Sequence, residues 1–319
     1  MNGAATIVTT PQKMTAPPEM TTPPRTPGQP RTARLPVLLV TAEHGPARAQ
    51  ERAASGRALG LLAAALGPAA GSTSVSHTRG ISVAAAVIGS RASIGVDLEA
   101  DRVADPRTGR FFLRDHELAW LDTTASRQAE HLRLWTVKEA LFKSDPGNAG
   151  TVMLSYALAD PSAPAGYARR EPGGVRFGYG SARLGGRYLS VAACLAGITA
   201  DDAISTEESA MNTGTSENTV VSGTTGIPET TGIPETTGTT DPAISTEAVL
   251  GRIAEVLAVP ASELTARTPI RELVRESFML VELVIDLQEE FGTYFTQEEL
   301  REIETIGELV TLLQASPRS

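Results

Sequence analysis

One cysteine, Cys194, stands in 319 residues, which excludes a disulfide scaffold and a cysteine-based zinc site and points to a reducing, cytoplasmic setting. Aromatic residues make up only 4% of the chain, so its cores must be built from aliphatic side chains. The longest strongly apolar stretch, around Leu59–Leu66, is too short and too interrupted to cross a bilayer, so no membrane partner is expected. The first residues lack a cationic stretch followed by an apolar one, which argues against a signal peptide. An acidic chain without a basic-aromatic surface is also a poor nucleic-acid binder.

What is present is unevenly distributed. The formal net charge of −9 divides into +2 over 1–33, +5 over 34–200, −8 over 201–243 and −8 over 244–319. A basic block followed by two acidic ones predicts at least two domains. Residues 1–33 hold seven prolines and many threonines, too little apolar surface to offset ordering entropy, and read as a disordered tail. From 201 to 243 the chain is Thr, Glu, Gly and Ser, and Thr225–Thr230 (TGIPET) repeats at once as Thr231–Thr236. Six residues cannot form a solenoid unit, so this reads as a duplicated flexible linker.

Between tail and linker lies an α+β pattern. Strands are predicted over Leu35–Val40, Ile81–Ile88 and Ser93–Leu98, and an Ala/Leu-rich helix over Arg48–Leu66, ended by Gly67-Pro68. Helices follow near Arg110–Leu121 and Ala129–Lys143, then short strands near Val152–Tyr156, Gly174–Tyr179 and Arg187–Leu195. After the linker only helices are expected: Thr246–Leu257, a second beginning at Ser277, and a last over Thr305–Leu313. The second places Leu280, Leu283, Val284, Leu287 and Phe291 on one stripe. The result is a small all-α bundle over 244–319, near the lower size limit for independent folding.

Three short segments carry chemistry. In Ile94-Gly95-Val96-Asp97-Leu98-Glu99 the strand period puts Asp97 and Glu99 on one face and Val96 and Leu98 on the other. Two carboxylates beside an apolar core suit Mg²⁺, which keeps waters and bridges a substrate phosphate; a solvated strand end is the plainer alternative. In Trp135-Thr136-Val137-Lys138-Glu139-Ala140-Leu141-Phe142-Lys143, Glu139 and Lys143 share a helix face, with Trp135 a turn earlier. Glu139 is a candidate oxygen ligand or general base and Lys143 a candidate phosphate contact, against the alternative of a simple intrahelical ion pair. Ser74–Thr78, read as a turn before the strand at Ile81, offers hydroxyls and His77 to an anion.

In this order the segments resemble the Sfp-type 4′-phosphopantetheinyl transferases, whose pattern is S-H-S/T, then G-[IV]-D-[ILV]-E, then W-x-x-K-E-[AS]-x-x-K. The resemblance covers about 34–200 and implies a pseudo-twofold α+β fold that transfers 4′-phosphopantetheine from coenzyme A to a carrier-protein serine. It implies Asp97, Glu99 and Glu139 as Mg²⁺ ligands, Glu139 also as base, and Lys143 as a catalytic coenzyme A phosphate contact. Ser76 and His77 would meet the 3′-phosphate, Lys138 would face a phosphate, and Trp135 would pack. The family's upstream G-K-P segment does not occur, leaving Arg48, Arg52 and Arg57 as the basic substitutes there, with Arg52 and Arg57 expected to bind coenzyme A.

The C-terminal bundle resembles an acyl or peptidyl carrier protein, from about 246 to 314. Ser277 stands where the family's G-x-D-S-[LF] carries its modified serine, with Val274 and Glu276 in place of Gly and Asp. The whole then reads as a Mg²⁺-dependent transferase fused to a carrier that is one of its substrates, bearing covalent phosphopantetheine on Ser277. Other carrier proteins are further candidate partners. A tether of 43 residues spans roughly 35–40 Å and gives effective concentrations on the order of millimolar. The rival reading makes the carrier the working part, a scaffold for polyketide or nonribosomal-peptide assembly in secondary metabolism, with a weak or docking-only transferase half.

Overall fold

The structure, a computed structural model, describes residues 5–8, 37–67, 70–88, 92–196, 244–274, 277–296, 299–300 and 303–316. Most of the expected tail, and the linker 201–243 with its repeat, lie outside the described residues. The one piece of the tail that is described, β1 (Ala5–Val8), pairs antiparallel with β2 (Val37–Glu43). Its Ala-Thr-Ile-Val run is rich in β-branched residues, a local preference that the surrounding prolines mask.

Two antiparallel sheets form the α+β part. The first has the order β1-β2-β4-β3, with β3 spanning Ala70–Thr78 and β4 Ile81–Ile88. Helix α1 (Arg48–Leu66) lies on one face of it, its Ala54, Ala58 and Leu62 packed with Leu38, Val40, Ala84 and Ala86. The helix ends at Gly67, whose φ of 53° only glycine adopts without strain.

The second sheet has the order β5-β9-β8-β7-β6: β5 is Ile94–Ala100, β6 Tyr156–Leu158, β7 Ala165–Arg170, β8 Arg176–Leu184 and β9 Arg187–Cys194. Short helices α2 (Gly109–Phe112) and α3 (Asp115–Thr123) lead into α4 (Arg127–Ser144), which packs on β5 and β9. A single helix over Arg110–Leu121 was expected. The chain instead breaks at extended Leu113, and the Arg114 amide donates to Glu117 Oε2 (2.9 Å), which starts a new helix. β7 has no counterpart among the expected strands.

The sheets meet edge to edge through side chains. Alternate amides of β5 donate to hydroxyls of β3: Ile94 to Ser72, Val96 to Ser74, Leu98 to Ser76 and Ala100 to Thr78, at 3.0–3.3 Å. These are the amides that β9, on the other side of β5, leaves unpaired. The Ser/Thr alternation therefore substitutes for a missing strand partner and satisfies buried donors that would otherwise be costly. The expectation of a turn over Ser74–Thr78 is corrected accordingly: the segment is strand, held there by a partner 22 residues away.

The C-terminal bundle consists of α5 (Thr246–Leu257), α6 (Ile270–Leu273), α7 (Ser277–Phe291) and α8 (Ile306–Ala315). Its core joins Val249, Ile253, Leu283, Val284, Leu287, Phe295, Leu309 and Leu313, with Leu280 and Phe291 at its margin, so the expected α7 stripe faces this core. Arg252 of α5 clamps Asp286 of α7 through Nε (2.6 Å) and Nη2 (2.7 Å). Ser245 and Thr305 cap α5 and α8 through their hydroxyls.

Candidate functional site

The alternation read in β5 is realised. Ile94, Val96 and Leu98 join Val83, Ala85 and Val87 of β4 in a hydrophobic layer, while Asp97 and Glu99 lie on the opposite face, 2% and 3% exposed. What brings a helix onto that face is Gly95. A Cβ there would stand 2.0 Å from Ala140 O and 2.6 Å from Ser144 N, so the backbone of α4 rests where a side chain would be. This contact sets Glu139 and Lys143, one residue before and three after Ala140, over the carboxylates of β5.

Lys143 Nζ donates to Asp97 Oδ1 at 2.7 Å and lies 3.6 Å from Glu139 Oε2. Burial acts against its charge, but Asp97, then Glu139 and Glu99, outweigh that and hold its pKa above the ordinary lysine value. Three carboxylates and one ammonium thus share a single electrostatic site. Ser76 Oγ donates to Asp97 Oδ1 at 2.9 Å, so Ser76 orients the carboxylate. It is 6% exposed, a hydroxyl spent within the protein rather than offered to a 3′-phosphate.

Among the described residues, no group of three or more His, Cys, Asp or Glu forms a ready cation cage. The donor set nevertheless suits Mg²⁺. It is all oxygen, and Asp97 Oδ2 is buried without a hydrogen-bond partner, a costly state that a hard cation would relieve.

His77 lies at the end of β3 and pairs through Nε2 with Glu51 Oε1 of α1 at 2.9 Å. Beside it opens a cleft of about 340 Å³ lined by His44, Pro46, Glu51, His77, Arg79 and Gly80. His44 Nε2 is buried there without a partner. Sequence reasoning passed over His44 and Arg79, because neither sits in a recognisable spacing; Arg79 lies in the turn between β3 and β4, and His44, just after β2, is tied to that turn by its amide, which donates to Gly80 O at 2.9 Å.

Three expected basic contacts are engaged elsewhere. Lys138 is fully buried, paired with Glu117 at 2.6 Å and donating to Tyr156 O, which leaves no ammonium to face a phosphate. Burial lowers its pKa to about 8 despite the Glu117 charge. Arg57 donates to Glu43 O (3.1 Å), and Arg52 is exposed on α1. Arg48, expected to serve an anion, instead donates to Arg271 O (2.8 Å) and Val274 O (2.9 Å) of the C-terminal bundle.

That contact, with a second one, holds the start of α7. Phe278 of α7 is fully buried in the core of the α+β part, its ring 4.7 Å from that of Trp135 and 6.4 Å from that of Phe112. Positions 274 and 278 are thus both held on the α+β part, and the first residue of α7 lies between them in the chain. Trp135 is one helical turn before Glu139, and Arg48 is three residues from Glu51, the partner of His77.

Comparison with known families agrees with this two-part layout. Residues 93–167 match the family described as the 4′-phosphopantetheinyl transferase superfamily, and residues 247–313 the family described as phosphopantetheine attachment site. The first match covers β5 and α4 but begins after β3, so His77 and the cleft lie outside it. A 61-residue stretch is 41% identical to an acyl carrier protein of Saccharopolyspora erythraea, covering 19% of this chain and 64%, under two thirds, of that protein. No described helix is long and apolar enough to cross a membrane. The chain therefore joins a domain of the 4′-phosphopantetheinyl transferase superfamily to a C-terminal phosphopantetheine-attachment domain.

Proposed function

We propose that the chain is a Mg²⁺-dependent holo-carrier synthase that transfers 4′-phosphopantetheine from coenzyme A to Ser277 of its own carrier domain, and to separate carriers that fit the same face. The observation that carries this reading is the convergence of Asp97, Glu99, Glu139 and Lys143 between β5 and α4, the helix whose Trp135, one turn before Glu139, meets Phe278 of α7.

The Ser277 hydroxyl oxygen bonds to the β-phosphorus of coenzyme A as the bond from that phosphorus to the bridging oxygen breaks. Adenosine 3′,5′-bisphosphate leaves with that oxygen, and the serine proton passes to Glu139, directly or through water. Asp97, Glu99 and Glu139 would hold the cation, which when bound supplies charge neutralisation to the pyrophosphate. Lys143 reaches toward the same phosphates, its charge secured by the carboxylates around it. Ser76 fixes Asp97, and the His44–His77–Arg79 cleft takes the nucleotide end. The protein's contribution is alignment and charge, which suits displacement at phosphorus.

Incubation with coenzyme A and Mg²⁺ followed by intact-mass measurement tests the proposal. The wild-type chain is expected to gain one phosphopantetheine, while Ser277→Ala and Glu139→Gln gain none on themselves. If the wild-type chain neither gains mass nor modifies an added carrier, the enzyme reading fails and the scaffold role alone stands.

A further inference from the structure

The end of β2, the first turn of α1 and the turn between β3 and β4 enclose the cleft beside His77, and two of its lining groups are acceptors in want of a donor. His44 Nδ1 lies 2.7 Å from Gly45 O. A carbonyl can only accept, so Nδ1 carries the proton, and Nε2 of the neutral ring is an acceptor. That Nε2 is buried and has no partner among the described residues. Glu51 supplies the second: His77 engages its Oε1 at 2.9 Å, which leaves Oε2 as an acceptor.

A phosphate on the ribose fits this lining poorly. Near neutral pH it carries close to two negative charges and only acceptor oxygens, so it has nothing to give His44 Nε2 and meets Glu51 as a like charge. The start of α1 offers no relief, because the negative charge that a helix N-terminus favours is supplied by Glu51 itself. Ser76, the neighbour of His77, spends its hydroxyl on Asp97. A ribose with free 2′- and 3′-hydroxyls brings two donors to two acceptors. In dinucleotide-binding folds, likewise, an acidic side chain reads a free ribose hydroxyl, and an arginine the phosphorylated one.

We propose that the preferred donor is 3′-dephospho-coenzyme A, its unphosphorylated ribose read by Glu51 and His44. The inference rests on the transfer reading above and narrows its donor. The single arginine of the lining, Arg79, answers to the pyrophosphate that both donors carry. β3 joins the cleft to the reacting centre, since Ser76 holds Asp97 and the next residue, His77, borders the cleft. The Ser277 oxygen bonds to the phosphorus that bears pantetheine, the bond from that phosphorus to the bridging oxygen breaks, and adenosine 5′-phosphate leaves with that oxygen. The serine proton passes to Glu139. Coenzyme A is the slower donor, with a charge facing Glu51 where a hydroxyl would donate.

Both donors leave the same group on Ser277, so the released nucleotide tells them apart. The full chain is given Mg²⁺ with coenzyme A and 3′-dephospho-coenzyme A at equal concentration, and the nucleotides are separated by chromatography. Wild type is expected to release adenosine 5′-phosphate over adenosine 3′,5′-bisphosphate by about tenfold or more. Glu51→Gln is expected to shift that ratio about tenfold toward the bisphosphate, and Glu51→Arg to invert it. The ratio is indifferent to a fraction of unfolded protein, because both donors compete for the same folded molecules. Bisphosphate in equal or greater yield from wild type, or a ratio that Glu51→Gln leaves unchanged, overturns the proposal.

Titration calorimetry with each nucleotide alone reads the cleft without transfer. Adenosine 5′-phosphate is expected to bind the wild-type chain about tenfold more tightly than the bisphosphate. Equal or tighter binding of the bisphosphate, or no binding of the monophosphate, overturns the proposal. If neither nucleotide is released in the first experiment, the transfer reading has failed and the calorimetry alone decides what the cleft prefers.

Discussion

Replacing Gly95 by alanine tests the link between fold and site with one methyl group. The added carbon would stand 2.0 Å from Ala140 O, whereas contact is comfortable near 3.5 Å, so α4 must retreat by roughly 1.5 Å. Neither obstructing atom can swing aside, because Ala140 O and Ser144 N are helix backbone. The retreat removes Lys143 Nζ from its 2.7 Å contact with Asp97 and carries Glu139 off its position. Overpacking of this kind costs about 1–3 kcal/mol, and a displacement of that size at reacting groups costs about a hundredfold in rate. Urea unfolding should therefore show a lower midpoint for Gly95→Ala, and the rate of coenzyme A-dependent mass gain should fall by more than the lost stability explains. Gly60→Ala is the matched control. It lies within α1 with nothing within 4 Å, and alanine there should add about 0.5–1 kcal/mol without touching the rate. A Gly95→Ala protein with wild-type midpoint and rate would refute the argument that close backbone approach at this glycine builds the site.

Other expected outcomes follow from the same contacts. Lys138→Met leaves Glu117 charged and buried and should cost about 3–5 kcal/mol in urea unfolding, with much of this recovered by adding Glu117→Gln. Ser74→Ala and Ser76→Ala each remove a hydroxyl from the seam between the sheets, for about 1–3 kcal/mol. Only Ser76→Ala should also slow transfer, because only Ser76 holds Asp97. Burial, with Arg127 and Arg102, pushes the His131 pKa from 6.5 down to about 4, so the unfolded chain binds the proton that the folded chain refuses. That stability is complete above pH 6.5 and is lost as pH falls toward 4, by about 3 kcal/mol in all. His131→Gln should flatten this part of the stability–pH curve relative to wild type, as measured by urea midpoints across the window.

The parts of the fold legible in the sequence are those whose cause is local. The Ala/Leu-rich run and the Gly67 stop define α1, and the two-residue alternation in β5 separates Asp97 and Glu99 from Val96 and Leu98. What escaped is what depends on a distant partner. Ser72, Ser74, Ser76 and Thr78 look like turn residues because their hydroxyls compete with local backbone, and they become strand only when the amides of β5 claim those hydroxyls. Lys138 was misplaced for a related reason. Five residues from Lys143, it points to another side of α4, and nothing near it in sequence announces Glu117 as its buried partner.

Helix α7 extends the point from fold to partner. Its one-stripe pattern is complete without Phe278, yet Phe278 is the most deeply buried of the residues that face the other domain. Burying a phenylalanine side chain contributes about 1.5–3 kcal/mol, whereas partly exposed arginine–glutamate pairs contribute about 0–1 kcal/mol each. The ring therefore supplies most of the adhesion and the charges supply orientation. The opposite net charges of the two domains, +5 and −8, act on a different quantity. That field hastens encounter, a contribution that salt screens, while the described contacts of the bound state are made at Phe278, at Glu282 with Arg102 and at Glu289 with Arg107.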